Sequence, residues 1–367
     1  MMGSDLGAIV DRAATTIRHA RPGVGGIVAA ISGADVCLRP FGTLGTFDRR
    51  AVCETTVFEI GSVTKLFTAA LLAATVLDGR AALNEPVAEL LPELRGLADD
   101  ITLVRLATHT AGLPRLPRNL IGRSWIRHPL NPYAGYTERA LVDALRRHRP
   151  ARRLPPIHRT PVRYSNLGAG LLGAALARRL NLSYEAAVVA YVCAPLGMND
   201  TRIALTRDQG ERFAAPHGVF GLPAARWEFG ALQGAGALRS TPADLIRFAR
   251  ASAGAAPEPL RSALLDAQHL RVETRDADGR LSAGLGLAWH AFETVGARRL
   301  VLWHNGSTGG YRSFLALVPA LRLGVVALAN RAPGLEDRLR PATALDRIAL
   351  TALRDLLRLD ASDSRPA

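Results

Sequence analysis

The stretch F-E-I-G-S-V-T-K, Phe58–Lys65, runs from a short apolar segment into a helix and contains the chain's single lysine. Val57 to Ile60 reads as a brief strand. From Ser62 onward, Val63, Leu66, Phe67, Ala70, Leu71, Ala74 and Leu77 recur at helical spacing and predict one broad apolar face, closed at Asp78-Gly79. Ser62 and Lys65 lie three apart at the start of that helix, so their side chains share a face about one turn apart. That geometry suits a nucleophilic serine activated by an adjacent amine. A helix start adds free backbone N–H groups and a positive dipole end, both favourable to an oxyanion. Of 46 Lys and Arg residues, 45 are Arg. Arg cannot release its proton at usable pH, whereas a desolvated Lys can, so Lys65 stands where Arg could not substitute.

Working outward, Asp5 to Ala20 carries Leu6, Ile9, Val10, Ala13 and Ile17 in an amphipathic helical pattern. G-G-I-V-A-A-I-S and D-V-C-L-R-P-F-G follow as a strand pair separated by Gly33-Ala34. From about Ala82 to Arg280 the chain is rich in helix starts and Pro-bounded loops. T-P-A-D, Thr241 to Asp244, is one such capped start. Strand patterns then return in G-L-G-L-A-W-H-A-F, R-L-V-L-W-H-N, Y-R-S-F-L-A-L-V and R-L-G-V-V-A-L-A-N. A last helix is expected from about Glu336 to Leu357, with D-A-S-D-S-R-P-A as a frayed tail.

Strands at both ends with helices between predict an α+β fold. Residues 1–81 and 281–367 would form one lobe around an antiparallel sheet, and residues 82–280 a mostly helical lobe. The crevice between them is the expected place for a site. A length of 367 residues accommodates both.

The net charge of +14 favours acidic partners at long range, and an Arg-rich bias reads first as a solvated basic surface. No nucleic-acid-binding motif accompanies it. Cys37, Cys53 and Cys193 are odd in number and form no metal or redox spacing. The first residues lack the pattern of a signal peptide, and the longest apolar stretch, Phe67 to Leu77, is too short to cross a bilayer. A cytoplasmic protein without metal or other cofactor is the expectation.

Two later stretches join the Ser62–Lys65 pair. Tyr164-Ser165-Asn166 opens another apolar helix, and W-H-N-G-S-T-G-G-Y, Trp303 to Tyr311, forms a Gly-rich corner between two strands. Ser-x-x-Lys, Tyr-Ser-Asn and His-x-Gly in that order resemble the serine hydrolases related to class C β-lactamases. That group also holds D-alanyl-D-alanine carboxypeptidases, family VIII esterases and acyltransferases. I-T-L-V-R-L-A-T-H-T-A-G-L-P (Ile101 to Pro114), P-L-G-M-N-D-T (Pro195 to Thr201) and G-A-G-A-L-R-S-T-P-A-D-L (Gly234 to Leu245) also read like signatures of the group.

The resemblance implies a β-lactamase/transpeptidase-like fold and roles for matched positions. Ser62 would be the nucleophile that forms an acyl-enzyme, Lys65 would take or route its proton, and Tyr164 would shuttle the proton to the leaving group. Asn166 would hold the substrate amide or steady Lys65. His304, Asn305 and Gly306 match the third motif, and the N–H of Ser307 would join that of Ser62 in the oxyanion hole. Whether Lys65 or Tyr164 is the base stays open, because an amine and a phenol side by side perturb each other.

His304 stands where class C β-lactamases usually carry Lys, which lowers the expectation of β-lactam turnover. An ester or amide hydrolase is therefore the first reading, an acyltransferase the second, and a sensor that acylates without turnover the third. Between Arg115 and Arg163 lie 12 Arg against the acids Glu138 and Asp143. At the rim of a crevice such a segment could receive an acidic acyl donor such as coenzyme A or an acyl carrier protein. His109 and Cys193 read as structural.

Overall fold

The computed structural model describes residues 2–20, 23–96, 99–120, 130–148, 153–334 and 341–363, together with 337 and 339. Two strands, β1 (Gly26–Ser32) and β2 (Asp35–Phe41), form the expected hairpin, turning through Gly33 at φ +60°. In β1, Ile27, Ala29 and Ile31 face one apolar core while Val28 and Ala30 face another, the two-residue alternation of a pleated strand covered on both sides. The second core is filled by the helices Met2–Ala20 and Leu345–Asp363, through residues such as Ile9, Val10, Ile17, Ile348 and Leu353. The first core holds the helices Thr64–Leu77, Asn166–Leu180 and Leu260–Gln268.

Two residues of β3 (Phe58–Glu59) pair with β4 (Arg239–Ser240) in a small separate sheet. The remaining strands are β5 (Val272–Arg275), β6 (Leu281–Leu285), β7 (His290–Glu293), β8 (Leu300–Ser307), β9 (Arg312–Val318) and β10 (Leu323–Ala329). The main sheet has the order β2-β1-β10-β9-β8-β7-β6-β5, antiparallel throughout. Its N-terminal hairpin docks on the last strand, with Gly26 opposite Ala329. Both chain ends thus share one sheet, and β8 places residues 304–307 near its middle.

Three expectations need correction. G-L-G-L-A-W-H-A-F is two strands, β6 and β7. Between them Leu287 N–H donates to Ala267 O and Ala288 N–H to Ala107 O, and Ala288 sits at φ +59°. Hydrogen bonds to neighbouring loops and helices therefore break a run whose residues alone favour continuity. The strand β5 was absent from the sequence reading because Val-Glu-Thr-Arg is short, largely exposed and polar, as an edge strand tends to be. The last helix starts at Leu345, after a turn at Pro341–Thr343, and reaches Asp363. Proline at 341 fits a first turn and not a helix interior; residues 336 and 364–367 lie outside the described residues. No helix among the described residues is long and apolar enough to cross a membrane.

Candidate active site

Ser62 occupies a one-turn 3-10 helix, Gly61–Val63, which leads directly into the helix Thr64–Leu77. Gly61 holds φ +49°, and a Cβ there would meet the backbone N and O of Ser307 at 2.8 Å. A Cβ at Gly306 would in turn collide with Ile60 O and lie 2.9 Å from the backbone N of Ser62. The two glycines let the Ser62 turn and the end of β8 touch backbone to backbone.

That contact brings the backbone of the Ser62 turn against that of Ser307. Thr308 N–H donates to Tyr311 O at 3.1 Å, so by antiparallel alternation the N–H of Ser307 points away from β9. Ser313 Oγ donates to Ile60 O at 2.6 Å and ties β9 to the same turn.

Lys65 is 1% exposed, and its Nζ lies 3.0 Å from Ser62 Oγ, 2.9 Å from Asn166 Oδ1 and 2.7 Å from Ala235 O. No carboxylate pairs with it among the described residues. Burial, followed by the charge of Arg115, pushes its ammonium well below the usual lysine range.

Tyr164 and Asn166 are delivered by the Y-S-N turn. Between them Ser165 caps the helix Asn166–Leu180, accepting from Gly168 N–H at 2.8 Å and donating to Pro114 O at 2.7 Å. Arg163 N–H donates to His109 O, and Asn166 N–H to Arg115 O. The T-H-T-A-G-L-P-R loop is therefore the bed on which Tyr164 rests. His109, at φ +56°, packs its ring 4.6 Å from the Tyr164 ring and accepts from Ser165 N–H through Nδ1 at 3.3 Å. Lys65 Nζ is 4.8 Å from the Tyr164 ring centre. Burial pushes the phenol up to about 12, against the opposing effects of its hydrogen bond with Ser62 and of the Arg115 charge.

In β8, His304 is fully buried, with Nδ1 2.6 Å from Asn305 O. Burial holds its imidazole neutral, and His290 and Lys65 push the same way. Asn305 Nδ2 donates to Asp346 at 2.7 Å, an acid that also pairs with Arg312. Ser62, Tyr164, Asn305, Gly306 and Ser307 line a cavity of about 250 Å³, joined by Arg115, His290 and Arg312. All eight residues singled out from the sequence thus gather in one place.

A sequence profile of the Beta-lactamase family matches residues 9–350. The chain belongs to the β-lactamase family. Family membership makes it one of a group of serine hydrolases that spans β-lactamases and carboxypeptidases. It is 27% identical to a β-lactamase of Pseudomonas fluorescens, over 93% of this chain and 98% of that one. It is 26% identical to the D-alanyl-D-alanine-carboxypeptidase/endopeptidase AmpH of Escherichia coli (strain K12), over 89% of this chain and 84% of that one. The crystal structure of the class C β-lactamase from Rhodobacter sphaeroides superposes with a TM-score of 0.79 at 26% identity, covering 95% of this chain and 99% of that one. The fold is that of a class C β-lactamase, α+β as the sequence predicts.

Three residues beside this candidate site were missed from sequence. Tyr133 accepts from Asn166 Nδ2 through its hydroxyl at 2.9 Å, fixing the amide so that its oxygen meets Lys65. His290 lies 6.5 Å from Tyr164 and 5.2 Å from His304, ring centre to ring centre. Arg115 sits over the Tyr164 ring at 5.2 Å. Only Arg115 left a trace in the sequence, as the first residue of the Arg-rich stretch. Residues 121–129 and 149–152 of that stretch lie outside the described residues.

Proposed function

We propose that the protein cleaves a small ester or amide through an acyl-enzyme on Ser62, with Lys65 as base and Tyr164 as acid. The place of Nζ, buried and 3.0 Å from Ser62 Oγ, carries this reading. Asn166 Oδ1 and Ala235 O can only accept, so they take two N–H bonds of Lys65. Nζ also donates to Ser62 Oγ at 3.0 Å as an ammonium; once it is the neutral amine, its lone pair faces the same oxygen and can take the hydroxyl proton. Lysine pushed down by burial, with no carboxylate beside it among the described residues, fits a group that accepts a proton from the nucleophile.

In the forward step Ser62 Oγ bonds to the substrate carbonyl carbon and its proton passes to Lys65 Nζ. Charge builds on the carbonyl oxygen, where the N–H groups of Ser62 and Ser307 supply fixed donors. The bond to the leaving group then breaks. Tyr164, held protonated near neutral pH, gives its proton to the leaving atom, and Lys65 restores that proton to the phenol. Water then attacks the acyl carbon and the same relay runs in reverse. The site lies where sheet residues 304–307 meet residues 164–166 of the helical region, in the crevice between the two proposed lobes.

Neutral, buried His304 offers no ammonium to a substrate carboxylate at that position, which favours esters and simple amides over β-lactams. Intact-mass measurement tests the scheme. A p-nitrophenyl ester should leave one acyl group on the wild-type chain that decays in water, and none on Ser62→Ala. Acylation of the alanine variant at the wild-type rate would refute it. An adduct that decays faster when an alcohol or amine is added would redirect the reading to acyl transfer, and one that never decays to a sensor.

A further inference from the structure

Among the described residues, the cavity beside Ser62 contains one charge that nothing balances. Arg312 lines it but is neutralised by Asp337 at 2.9 Å and Asp346 at 2.7 Å. Burial pushes Lys65, His109, His290 and His304 toward their neutral forms. Among the described lining residues Arg115 alone remains. It is exposed, no carboxylate pairs with it among the described residues, and its guanidinium has no hydrogen-bond acceptor there. Its position is nevertheless built. The backbone O of Arg115 accepts from Asn166 N–H at 2.9 Å, and its guanidinium carbon lies 5.2 Å from the centre of the Tyr164 ring. Stacking on an aromatic face holds a guanidinium in place while leaving its N–H edges free.

Such an edge is suited to two parallel hydrogen bonds with a carboxylate or phosphate. The Tyr164 phenol is the group that reaches the leaving atom, so a cation on its ring lies on the leaving-group side of the reacting carbonyl. We propose that Arg115 selects substrates whose leaving group carries an anionic substituent, carboxylate or phosphate, and so supplies from the 109–115 loop the positive charge that His304 does not supply from β8. This rests on the acyl-enzyme reading and refines it. No covalent step changes; the anion only orients the leaving group before Tyr164 protonates it.

The test compares matched substrates. The butyrate ester of 3-hydroxybenzoate is anionic, and that of 3-hydroxybenzamide is its neutral counterpart. Arg115→Gln should lower the ratio of their kcat/KM values at least tenfold, chiefly through KM, and Arg115→Lys should restore part of it. Arg115→Glu should invert the preference. Butyryl-coenzyme A against butyryl-N-acetylcysteamine provides the same comparison for phosphate. Loss confined to the benzoate pair would assign the anion as carboxylate, and loss confined to the thioester pair as phosphate. An unchanged ratio in both pairs, with both substrates falling together, would overturn the proposal and leave Arg115 as a field on Lys65 and Tyr164. Persistence of the neutral ester's acyl adduct on Ser62 in these variants separates that failure from failure of the acyl-enzyme scheme.

Discussion

Replacing the Lys65 amine while keeping its length separates proton transfer from packing. Lys65→Met retains a long unbranched chain at a position where the lysine is 1% exposed and removes the nitrogen proposed to take the Ser62 proton. General-base catalysis contributes about 10²–10⁴ in rate, so stopped-flow acylation by a p-nitrophenyl ester should slow by that order, with the melting transition still cooperative. Lys65→Arg should fold and be equally slow, because guanidinium keeps its proton. The wild type should also show an acid limb. Its lysine is depressed in the folded state, so kcat/KM rises as pH climbs through that lowered value and the ammonium becomes amine. Tyr164, raised to about 12, stays a phenol across the neutral range and adds no limb there. Wild-type acylation rates in Lys65→Met would remove the lysine from the reaction.

At the scale of elements, the Y-S-N turn does two jobs through one cap. Ser165 secures the start of the helix Asn166–Leu180 and ties it to Pro114 O. Loss of an N-cap costs about 1 kcal/mol. Ser165→Ala should therefore lower stability modestly in urea denaturation, yet reduce kcat more than that loss suggests, because Tyr164 and Asn166 flank the cap. An effect on stability alone would mean that the bed of residues 109–115 suffices to position the phenol. The same scale shows what a sequence can reveal. Caps and glycines are local signals, which is why the Thr241-Pro242 cap, the helix opened by Tyr164-Ser165-Asn166 and the β8 corner could be read directly. Ser62 and Lys65 were legible because one helical turn joins them. The break at Ala288 was not, since its φ of +59° accompanies bonds from Leu287 N–H to Ala267 O and from Ala288 N–H to Ala107 O, both distant in sequence. Tyr133 and His290 reach the site from distant positions, and no spacing announces such a contact.

For the molecule as a whole, three imidazoles buried around one amine make the folded state sensitive to acid. His290 is pushed down to about 4, first by burial and then by the Lys65 charge, and His109 and His304 are shifted the same way. The unfolded chain binds protons at these positions near pH 6.5 and the folded chain does not, so stability is lost as pH falls from about 6.5 toward 4. For His290 alone the shift corresponds to on the order of 3 kcal/mol. Glu59 and Asp244, whose buried carboxyls are raised, oppose part of this. Urea denaturation at stepped pH should show the decline in the wild type and a shallower one in His290→Asn. Parallel profiles for the two proteins would mean that His290 is not titrating as an isolated buried ring.

The docking of β1 on β10 has a consequence for how the protein is made. A ribosome releases Ile27 and Val28 early, but their partners Leu328 and Ala327 emerge only near the end of synthesis. Until then the leading hairpin carries an unclaimed row of backbone donors and acceptors, an invitation to pair with strangers. Translation speed across the final strands, and any helper that shields the waiting hairpin, should govern how much chain reaches the native state.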